Sequence, residues 1–398
     1  MRNIREWRLL LALALLLPAP AGVSRAEEAA VPPSPGVVAG GFCTYGKGYF
    51  NTSTEAAQNV NQYFAAGAVG SEIFHVGDPA SSSYFWRKTG ANVTVGKGRD
   101  TAQVDSGVAA LQQAVGSAGR PGAFTITATN STDMGTGRIL GSQALSLKIN
   151  QGFSEVFVTP ATGFSGLSLV EMEGVQLDGA RLTPSQAGAL NGQATLQVRE
   201  AADVALGGGP QPYGLSFGQL ADLIDLLNQS FDSCGPASSF AQGHLYQPFL
   251  TSSAFEGKRP STVSIFAYKP PYETFSGPVV PVLPNPDGRR LGCTSDSYAG
   301  FPAGSIALIE RGVCTFYQKV SVAVGAGASA AIIFNSTPET GPPCPEQPTP
   351  GSTRCEALVG MGAAPGLPVL TIPAAFVQRT TGLLLRDGPV PVTVFVQQ

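Results

Sequence analysis

Hydrophobic residues in the N-terminal half of the chain recur mostly at the spacing of an α-helix. In the clearest example the apolar positions return every three or four residues, and Ser216 followed by Gln219 forms a capping box. This pattern predicts helices over 100–115, 141–149, 194–206 and 216–231. Two short runs with aromatic and β-branched residues, 122–129 and 154–160, predict strands. A mixed, helix-weighted N-terminal domain is therefore expected.

Beyond about residue 235 the pattern changes to short runs rich in Val and Ile that are bounded by Gly and Pro. The small polar stretch 234–243 separates the two patterns. Two helices are predicted near 316–327 and 374–386. Strands are predicted at 262–268, 277–283, 305–310, 330–334, 367–372 and 390–396. The expected fold class is α+β, with a β-rich α/β domain following the helix-weighted one.

The first residues have the pattern of a secretory signal peptide. Arg2, Arg5 and Arg8 precede an apolar run from Leu9 to Leu17, which is too short to span a bilayer. Small residues at Ser24 and Ala26 fit a cleavage site. We therefore expect a signal peptide over 1–26, with a retained anchor as the alternative, and a Pro/Gly linker over 27–42. Domains over 43–235 and 236–398 follow, with no membrane span, in a secreted or cell-surface protein.

Composition excludes some classes of partner. Charged residues make up 13% of the chain, and the Lys and Arg residues form no cluster. Nucleic acid is therefore not an expected partner, because nucleic-acid binding depends on clustered positive charge. The hydrophobic content of 43% is enough for a folded core, and the 49 Gly and 32 Pro residues favour turn-rich structure.

Residues 305–335 resemble the protease-associated (PA) domain. The matching pattern is RG-x-C-x-F-x-x-K, followed by A-x-x-AGA-x-A and N. It is carried here by Arg311, Gly312, Cys314, Phe316, Lys319, Ala323, Ala326, Gly327, Ala328, Ala330 and Asn335. Residues 291–309 are similar to the opening of this family's domain and 367–396 to its close. The chain departs from the family pattern at Val324 and in a Pro-rich insert over 336–366.

The resemblance implies binding of another polypeptide. PA domains resemble lids or substrate-docking modules in enzymes and cargo readers in sorting receptors. A protein or peptide ligand is expected, with a peptidase among the candidates. The predicted binding surface contains Arg311 and Lys319. The alternatives are a turn ion pair of Arg311 with Glu310 and a solvent-facing Lys319.

Six cysteines occur in what is expected to be an oxidising compartment. A nucleophilic Cys314 would need a His base and a zinc site would need four N or S ligands, and neither pattern is present. The family often pairs cysteines placed like Cys293 and Cys314, which would stabilise the fold by about 3 kcal/mol. The resemblance therefore implies this disulfide, with an unpaired thiol as the alternative. Cys344 would then pair with Cys355, and Cys43 with Cys234.

Several motifs have a chemical pattern without its context. GLSFG (214–218) fits the nucleophile elbow of hydrolases, with Asp232 and His244 after it, but no hydrophobic strand precedes it. GFCTYGKG (41–48) lacks the final hydroxyl of a phosphate-binding loop. His75 and His244 are too few for a multi-histidine metal site. We therefore predict no catalytic, cofactor-binding or metal-binding residues.

Five N-x-S/T sequons could carry glycans in a eukaryotic source, at Asn51, Asn92, Asn130, Asn228 and Asn335. The stretches CTYGKGYFNTSTEAA and RILGSQALSLKINQGFSE resemble uncharacterised modules of secreted bacterial surface proteins, which have no known activity. The leading hypothesis is a secreted, non-catalytic protein whose PA domain binds a protein or peptide. The alternatives are an unrecognised hydrolase over 43–235 with the PA domain as an accessory, and a passive surface or matrix component.

Overall fold

The computed structural model describes residues 42–65, 73–78, 80–155, 163–263, 273–336, 355–362, 367–386 and 390–396. The predicted signal peptide and all of the predicted linker except Phe42 lie outside these ranges, so both stay predictions. Cys344 and most of the Pro-rich insert also lie outside them.

The described residues contain both helices and strands, as the sequence predicts. The helices are α1 (Lys47–Thr52), α2 (Thr54–Ala65), α3 (Ser106–Val115), α4 (Arg138–Glu155), α5 (Pro184–Leu190), α6 (Thr195–Leu206), α7 (Phe217–Asn228), α8 (Ser239–His244), α9 (Phe316–Gly325) and α10 (Arg379–Arg386).

The strands of the N-terminal part are short. They are β1 (Ile73–Gly77), β2 (Ser83–Arg87), β3 (Asn92–Lys97), β4 (Asp100–Asp105), β5 (Ala128–Thr129), β6 (Ser168–Leu169), β7 (Gln176–Leu177), β8 (Ala180–Arg181) and β9 (Leu245–Tyr246). The C-terminal part contains β10 (Phe249–Ser252), β11 (Phe255–Val263), β12 (Glu273–Pro281), β13 (Ile306–Glu310), β14 (Ala330–Phe334), β15 (Ala374–Val377) and β16 (Val390–Val396).

Helix α4 is the centre of the N-terminal part, and α3, α6 and α7 pack around it. It is buried on nearly every side, so its polar residues must find partners inside the core. The Asn150 amide donates to Asn228 Oδ1 at 2.9 Å, and the Asn228 amide donates to Gln143 Oε1 at 3.0 Å. These buried hydrogen bonds fix α4 against α7.

The predicted helix over 100–115 is correct only in its second half. Residues 100–105 form β4, which pairs with β3 in an antiparallel hairpin. Within β4, Ala102 and Val104 are buried while Thr101 and Gln103 are exposed, which is the two-residue period of a strand. The helix starts after Asp105, whose carboxylate accepts a hydrogen bond from the Gly107 amide at 2.7 Å.

The C-terminal part is a closed seven-stranded barrel in the order β10-β11-β15-β14-β13-β12-β16. The strands β12, β13, β14 and β15 run parallel to their neighbours in this set, and the other pairs are antiparallel. The chain is therefore α+β, with a helix-rich N-terminal part and a barrel in its C-terminal part, as predicted.

Alternate residues of β13 serve two different cores. Ile306 and Leu308 pack into the barrel interior with residues such as Val394. Ala307 and Ile309 pack outward with Val320 and Ala323 of α9. Because both faces are buried, β13 reads as a continuous apolar run.

Three other predicted elements need correction. Residues 367–372 form no strand, and the strand starts at Ala374, inside the predicted helix, which itself begins only at Arg379. Ser154 and Glu155 are the last residues of α4 and not the start of a strand. Of the predicted strand 122–129, only Ala128 and Thr129 are paired.

Residues 355–362 pack between the barrel and the N-terminal part. The Thr262 hydroxyl of β11 donates to the Val359 carbonyl at 2.7 Å, and the Asn335 amide donates to the Ala357 carbonyl at 2.9 Å. Gly360 lies so close to α6 that an added Cβ would come within 2.7 Å of Leu196 Cδ2. The division into domains at residue 235 stays a prediction.

Candidate functional site

The turn over residues 311–315 joins β13 to α9 and presents one apolar side chain to solvent. Gly312 has φ +115°, and an added Cβ would meet the Arg289 guanidinium, so glycine is required here. Val313 has φ +63°, which is unusual for a β-branched residue, and its side chain is 72% exposed. Thr315 then caps α9, since its hydroxyl accepts from the Gln318 amide at 3.1 Å.

The cysteine in this turn is a structural crosslink. Cys314 forms a disulfide with Cys293, which lies 21 positions earlier. Cys43 forms a second disulfide with Cys234 across 191 positions. Both pairs agree with the prediction. The predicted partner of Cys355 is Cys344, which lies outside the described residues, so that pairing stays a prediction.

Lys319 does not line a surface groove or face solvent, and both sequence interpretations of its position were wrong. It is fully buried under the loop that carries Cys293. Its Nζ donates to the Leu291 carbonyl at 2.5 Å and lies 3.8 Å from Cys293 Sγ. Burial, and then the Arg289 guanidinium, lower the pKa of the Lys319 amine to about 7.

Replacing the Lys319 amine should remove a destabilisation of the folded protein that depends on pH. The pKa of Lys319 is about 7 in the folded protein and 10.5 as its ordinary value, so the unfolded chain binds more protons between these pH values. The free energy of unfolding of the parent protein therefore rises with pH between about 7 and 10.5 because of Lys319. We expect Lys319→Met to be more stable than the parent near pH 7, with the difference shrinking by about 1 kcal/mol per pH unit above pH 7.5. Urea denaturation of both proteins from pH 7 to 9.5 measures this, and a difference that stays constant with pH would contradict it.

The Arg311 guanidinium acts on Glu155 of α4, where it opposes the rise in the pKa of that carboxyl. The same guanidinium donates to Asn335 Oδ1 at 3.2 Å, and the Arg311 carbonyl accepts from Arg289 Nη2 at 2.9 Å. Glu310 pairs with Arg289 at 3.5 Å. The role of Arg311 in a binding surface stays a prediction.

Exposed apolar side chains gather at the N-terminal end of α9. Among the described large hydrophobic residues, Val313 and Val369 are the most exposed, at 72% and 68%, and Leu367 is 45% exposed. The Tyr317 hydroxyl in the first turn of α9 donates to the Pro368 carbonyl at 3.1 Å, which places Leu367 and Val369 beside the same helix end. We call Val313, Tyr317, Leu367 and Val369 the α9 apolar surface. Positions 313 and 369 are more than fifty residues apart, and the sequence gave no sign that both segments adjoin the same helix end.

A second group of residues, unforeseen from the sequence, forms a charged cluster around α6. It consists of His75, Lys148, Glu155, Arg199, Glu200 and Asp203. Arg199 Nη1 donates to Asp203 Oδ2 at 2.8 Å, and Arg199 Nη2 lies 3.3 Å from Glu200 Oε1. Lys148 Nζ donates to the His75 carbonyl at 2.6 Å and lies 3.9 Å from Asp203 Oδ2.

Burial shifts the protonation equilibria of this charged cluster. It lowers the pKa of the Lys148 amine to about 7, against the opposing effect of Asp203. Burial, and then Lys148, lower the pKa of His75 to about 4, so His75 is neutral at neutral pH. Burial also raises the pKa of the Glu155 and Glu200 carboxyls, while Arg199 opposes both increases and Arg311 opposes that of Glu155. Perturbed groups of this kind occur at functional sites and also in structural ion-pair networks.

The motifs set aside in the sequence have structural roles. Ser216 caps α7, where its hydroxyl accepts from the Gln219 amide at 3.1 Å. His244 ends α8, and its Nδ1 lies 3.3 Å from the Val170 carbonyl. Lys47 of the stretch GFCTYGKG lies in α1 with its Nζ 3.5 Å from the Ser117 carbonyl.

Two of the five sequons are inaccessible in the fold. Asn228 is fully buried and Asn335 is 1% exposed, and both side-chain amides donate to protein acceptors. Asn51 and Asn92 are exposed. The described ranges contain no group of three or more His, Cys, Asp or Glu side chains that could hold a metal ion. None of their helices is long and apolar enough to cross a membrane.

Comparison with known proteins identifies the barrel. Residues 275–385 match the PA domain family. An aminopeptidase of Pseudomonas aeruginosa is 59% identical over 44 residues, which cover 11% of this chain and 8% of that enzyme. A probable leucine aminopeptidase 2 of Aspergillus fumigatus is 37% identical over 115 residues, covering 29% of this chain and 22% of that protein. The chain thus spans less than a quarter of these relatives' lengths.

Among solved structures, a zinc aminopeptidase of Bacillus subtilis is similar to part of this chain. It has 18% sequence identity and a TM-score of 0.27, with 38% of this chain and 31% of that structure covered. The resemblance expected for the N-terminal part stays a prediction.

Proposed function

We propose, from the PA domain that residues 275–385 form, that this chain binds a peptide segment of another protein on the α9 apolar surface. The observation that carries the proposal is the exposure of Val313 and Val369, the most exposed of the described large hydrophobic residues. Exposed apolar side chains that gather at one place are typical of interaction sites, whereas single exposed ones are ordinary. The relatives that share this domain are aminopeptidases, which favours a polypeptide ligand, with a peptidase among the candidates.

The geometry of the turn supports this proposal. Residue 313 is held in a backbone conformation that a valine rarely adopts, by a required glycine before it and a disulfide-bonded cysteine after it. The side chain therefore stays exposed at the end of a rigid helix. A pre-positioned apolar side chain loses little conformational entropy when a ligand covers it.

Selection from a library of random peptides tests the proposal with the full chain as bait. Peptides enriched by the wild type are measured by fluorescence polarisation against the wild type and against Val313→Asp/Val369→Asp. We expect the double variant to bind at least about tenfold more weakly, because the ligand would have to desolvate two carboxylates. Both sites are exposed, so folding should be unaffected.

Leu384→Asp is the matched control. Leu384 is a 39% exposed apolar residue of the same domain, but it lies on α10. The Leu384→Asp variant should bind the selected peptides with the affinity of the wild type. Absence of saturable binding to the wild type, or equal binding by the double variant, would refute the proposal and favour a passive surface component.

The charged cluster favours a second candidate, a hydrolytic N-terminal part with the PA domain as its accessory. Glu155 and Glu200 are carboxyls with raised pKa beside the Arg199 guanidinium, a combination suited to a general acid. Turnover of peptide and glycan panels tests it, with Glu200→Gln as the variant because Glu200 is 34% exposed. Loss of a measured turnover in a folded Glu200→Gln protein supports this candidate, and lack of turnover by the wild type removes it.

A further inference from the structure

A buried amine lies directly beside one of the two disulfides. Lys319 is fully buried, and its Nζ lies 3.8 Å from Cys293 Sγ and 2.5 Å from the Leu291 carbonyl. The other charged groups that face it are Arg289 and Glu310. An ammonium has three donors, and a disulfide sulfur is a weak acceptor for one of them. The ammonium is therefore poorly compensated while the disulfide is intact.

Reduction of the disulfide would change this balance. A thiolate on Cys293 would place a full negative charge beside the ammonium, within the distance at which opposite charges strongly stabilise one another. We propose that Cys293–Cys314 is a thiol–disulfide exchange site for a dithiol reductant, in which the Lys319 ammonium stabilises the Cys293 thiolate. The inference is independent of the proposed peptide binding.

The surroundings of the two sulfurs assign their roles in the exchange. Cys314 lies in the turn between Val313, which is 72% exposed, and the exposed Thr315. Both cysteines are half-buried, so the contact of Cys293 with Lys319 is what distinguishes them. The ammonium beside Cys293 makes it the better leaving thiolate, and Cys314 Sγ is then the sulfur that an incoming thiolate attacks. A leaving thiol of lower pKa departs faster.

The exchange balances as a two-electron reduction. One thiolate of the reductant attacks Cys314 Sγ, the S–S bond breaks, and its electron pair passes to Cys293, which pairs with the Lys319 ammonium. The second thiolate of the reductant then attacks the reductant's own sulfur in the mixed disulfide. Cys314 leaves and takes up a proton from solvent, and the reductant becomes a disulfide.

The second disulfide provides an internal comparison. Cys43–Cys234 lies in the same chain, and Cys234 Sγ is 3.5 Å from the Tyr45 hydroxyl, a neutral group. It shares the solvent and the redox buffer with Cys293–Cys314, but it lacks an amine in the position of Lys319 among the contacts that the structure describes.

Differential alkylation of the full-length native protein tests the proposal. The protein is equilibrated with reduced and oxidised dithiothreitol, and the free thiols are alkylated and quantified by peptide mass spectrometry. Cys293–Cys314 should open under less reducing conditions than Cys43–Cys234. Because its shorter loop alone favours this order, it should also open under less reducing conditions in the wild type than in Lys319→Met. In the reduced protein, the pH midpoint for alkylation of Cys293 should lie at least about one unit below the ordinary thiol value of about 8.5.

Lys319→Met and Gln318→Ala separate charge from packing. Methionine keeps an apolar chain in the buried position, so the variant should fold, and it should raise the Cys293 midpoint by about one pH unit or more. Gln318→Ala removes the 3.2 Å hydrogen bond from Gln318 Nε2 to the Cys293 carbonyl without changing charge. It should leave the midpoint unchanged.

The outcomes decide the proposal directly. The proposal is supported if the pH midpoint for Cys293 alkylation rises to the ordinary thiol value in Lys319→Met and stays low in Gln318→Ala. An unchanged midpoint in Lys319→Met, an equal shift in Gln318→Ala, or a Cys293–Cys314 bond that stays closed after Cys43–Cys234 opens would each overturn it.

Discussion

Asp203→Asn is expected to lower the free energy of unfolding by about 3–5 kcal/mol. Asp203 is 8% exposed and lies within 2.8 Å of Arg199 and 3.9 Å of Lys148. Asparagine keeps the size of the side chain and an oxygen for the Gly77 amide, which donates to Asp203 at 3.0 Å. It removes the carboxylate that Arg199 and Lys148 share and leaves Arg199 with Glu200 at 3.3 Å. A poorly compensated buried charge is far costlier than the pair itself is stabilising.

Urea denaturation followed through the fluorescence of Trp86, which is fully buried in the same core, measures this loss. Glu200→Gln is the matched control, because it also removes one carboxylate from Arg199 but at a site that is 34% exposed. Its effect should stay within about 1 kcal/mol. If Asp203→Asn cost no more than Glu200→Gln, the charged cluster would contribute little to stability, and its burial would require another explanation.

Elements that depend on local interactions were predicted well from the sequence. The capping box of α7 involves only Ser216 and Gln219, so two residues three positions apart define the helix start. Strands β13 and β14 are buried on both faces, and their apolar runs appear directly in the sequence. The PA pattern lies in one continuous stretch that runs from the end of β13 to the residue after β14.

Errors arose where a distant partner decides the local structure. The amino acids at positions 100–105 suit a helix, but pairing with β3 holds this segment extended. Residues 374–377 form a strand because β14 and β11 flank them in the barrel. Lys319 has the appearance of an exposed helical lysine, and only the fold shows the Cys293 loop lying over it.

The candidate sites are non-local for the same reason. The charged cluster joins β1, α4 and α6. The i,i+4 spacing of Arg199 and Asp203 within α6 suits an ion pair, but no spacing shows that His75 and Lys148 join it. The α9 apolar surface combines a turn before α9 with a segment after the Pro-rich insert. The sequence indicated the turn through Arg311, Gly312 and Cys314, but it gave no reason to prefer Val313 over Lys319 as the exposed side chain.

Loss of the Cys43–Cys234 disulfide should cost more stability than loss of Cys293–Cys314. The first closes a loop of 191 positions and the second a loop of 21. In the chain-entropy model the unfolded chain gains more freedom from the longer loop, so Cys43→Ala/Cys234→Ala should lose about 5 kcal/mol and Cys293→Ala/Cys314→Ala about 3 kcal/mol. Urea denaturation of the two double variants, followed by circular dichroism, gives the comparison.

The native contacts around Cys43 make this ordering a test of the unfolded state. The Thr44 amide donates to the Phe231 carbonyl at 3.0 Å, the Ser233 amide donates to the Thr44 carbonyl at 2.8 Å, and the Phe231 amide donates to the Thr44 hydroxyl at 2.9 Å. These hydrogen bonds join the two chain segments without the disulfide, so the folded state should change little when the bond is removed. A loss for the Cys43 pair that equals or falls below that for the Cys293 pair would mean that the unfolded chain already keeps these distant segments together.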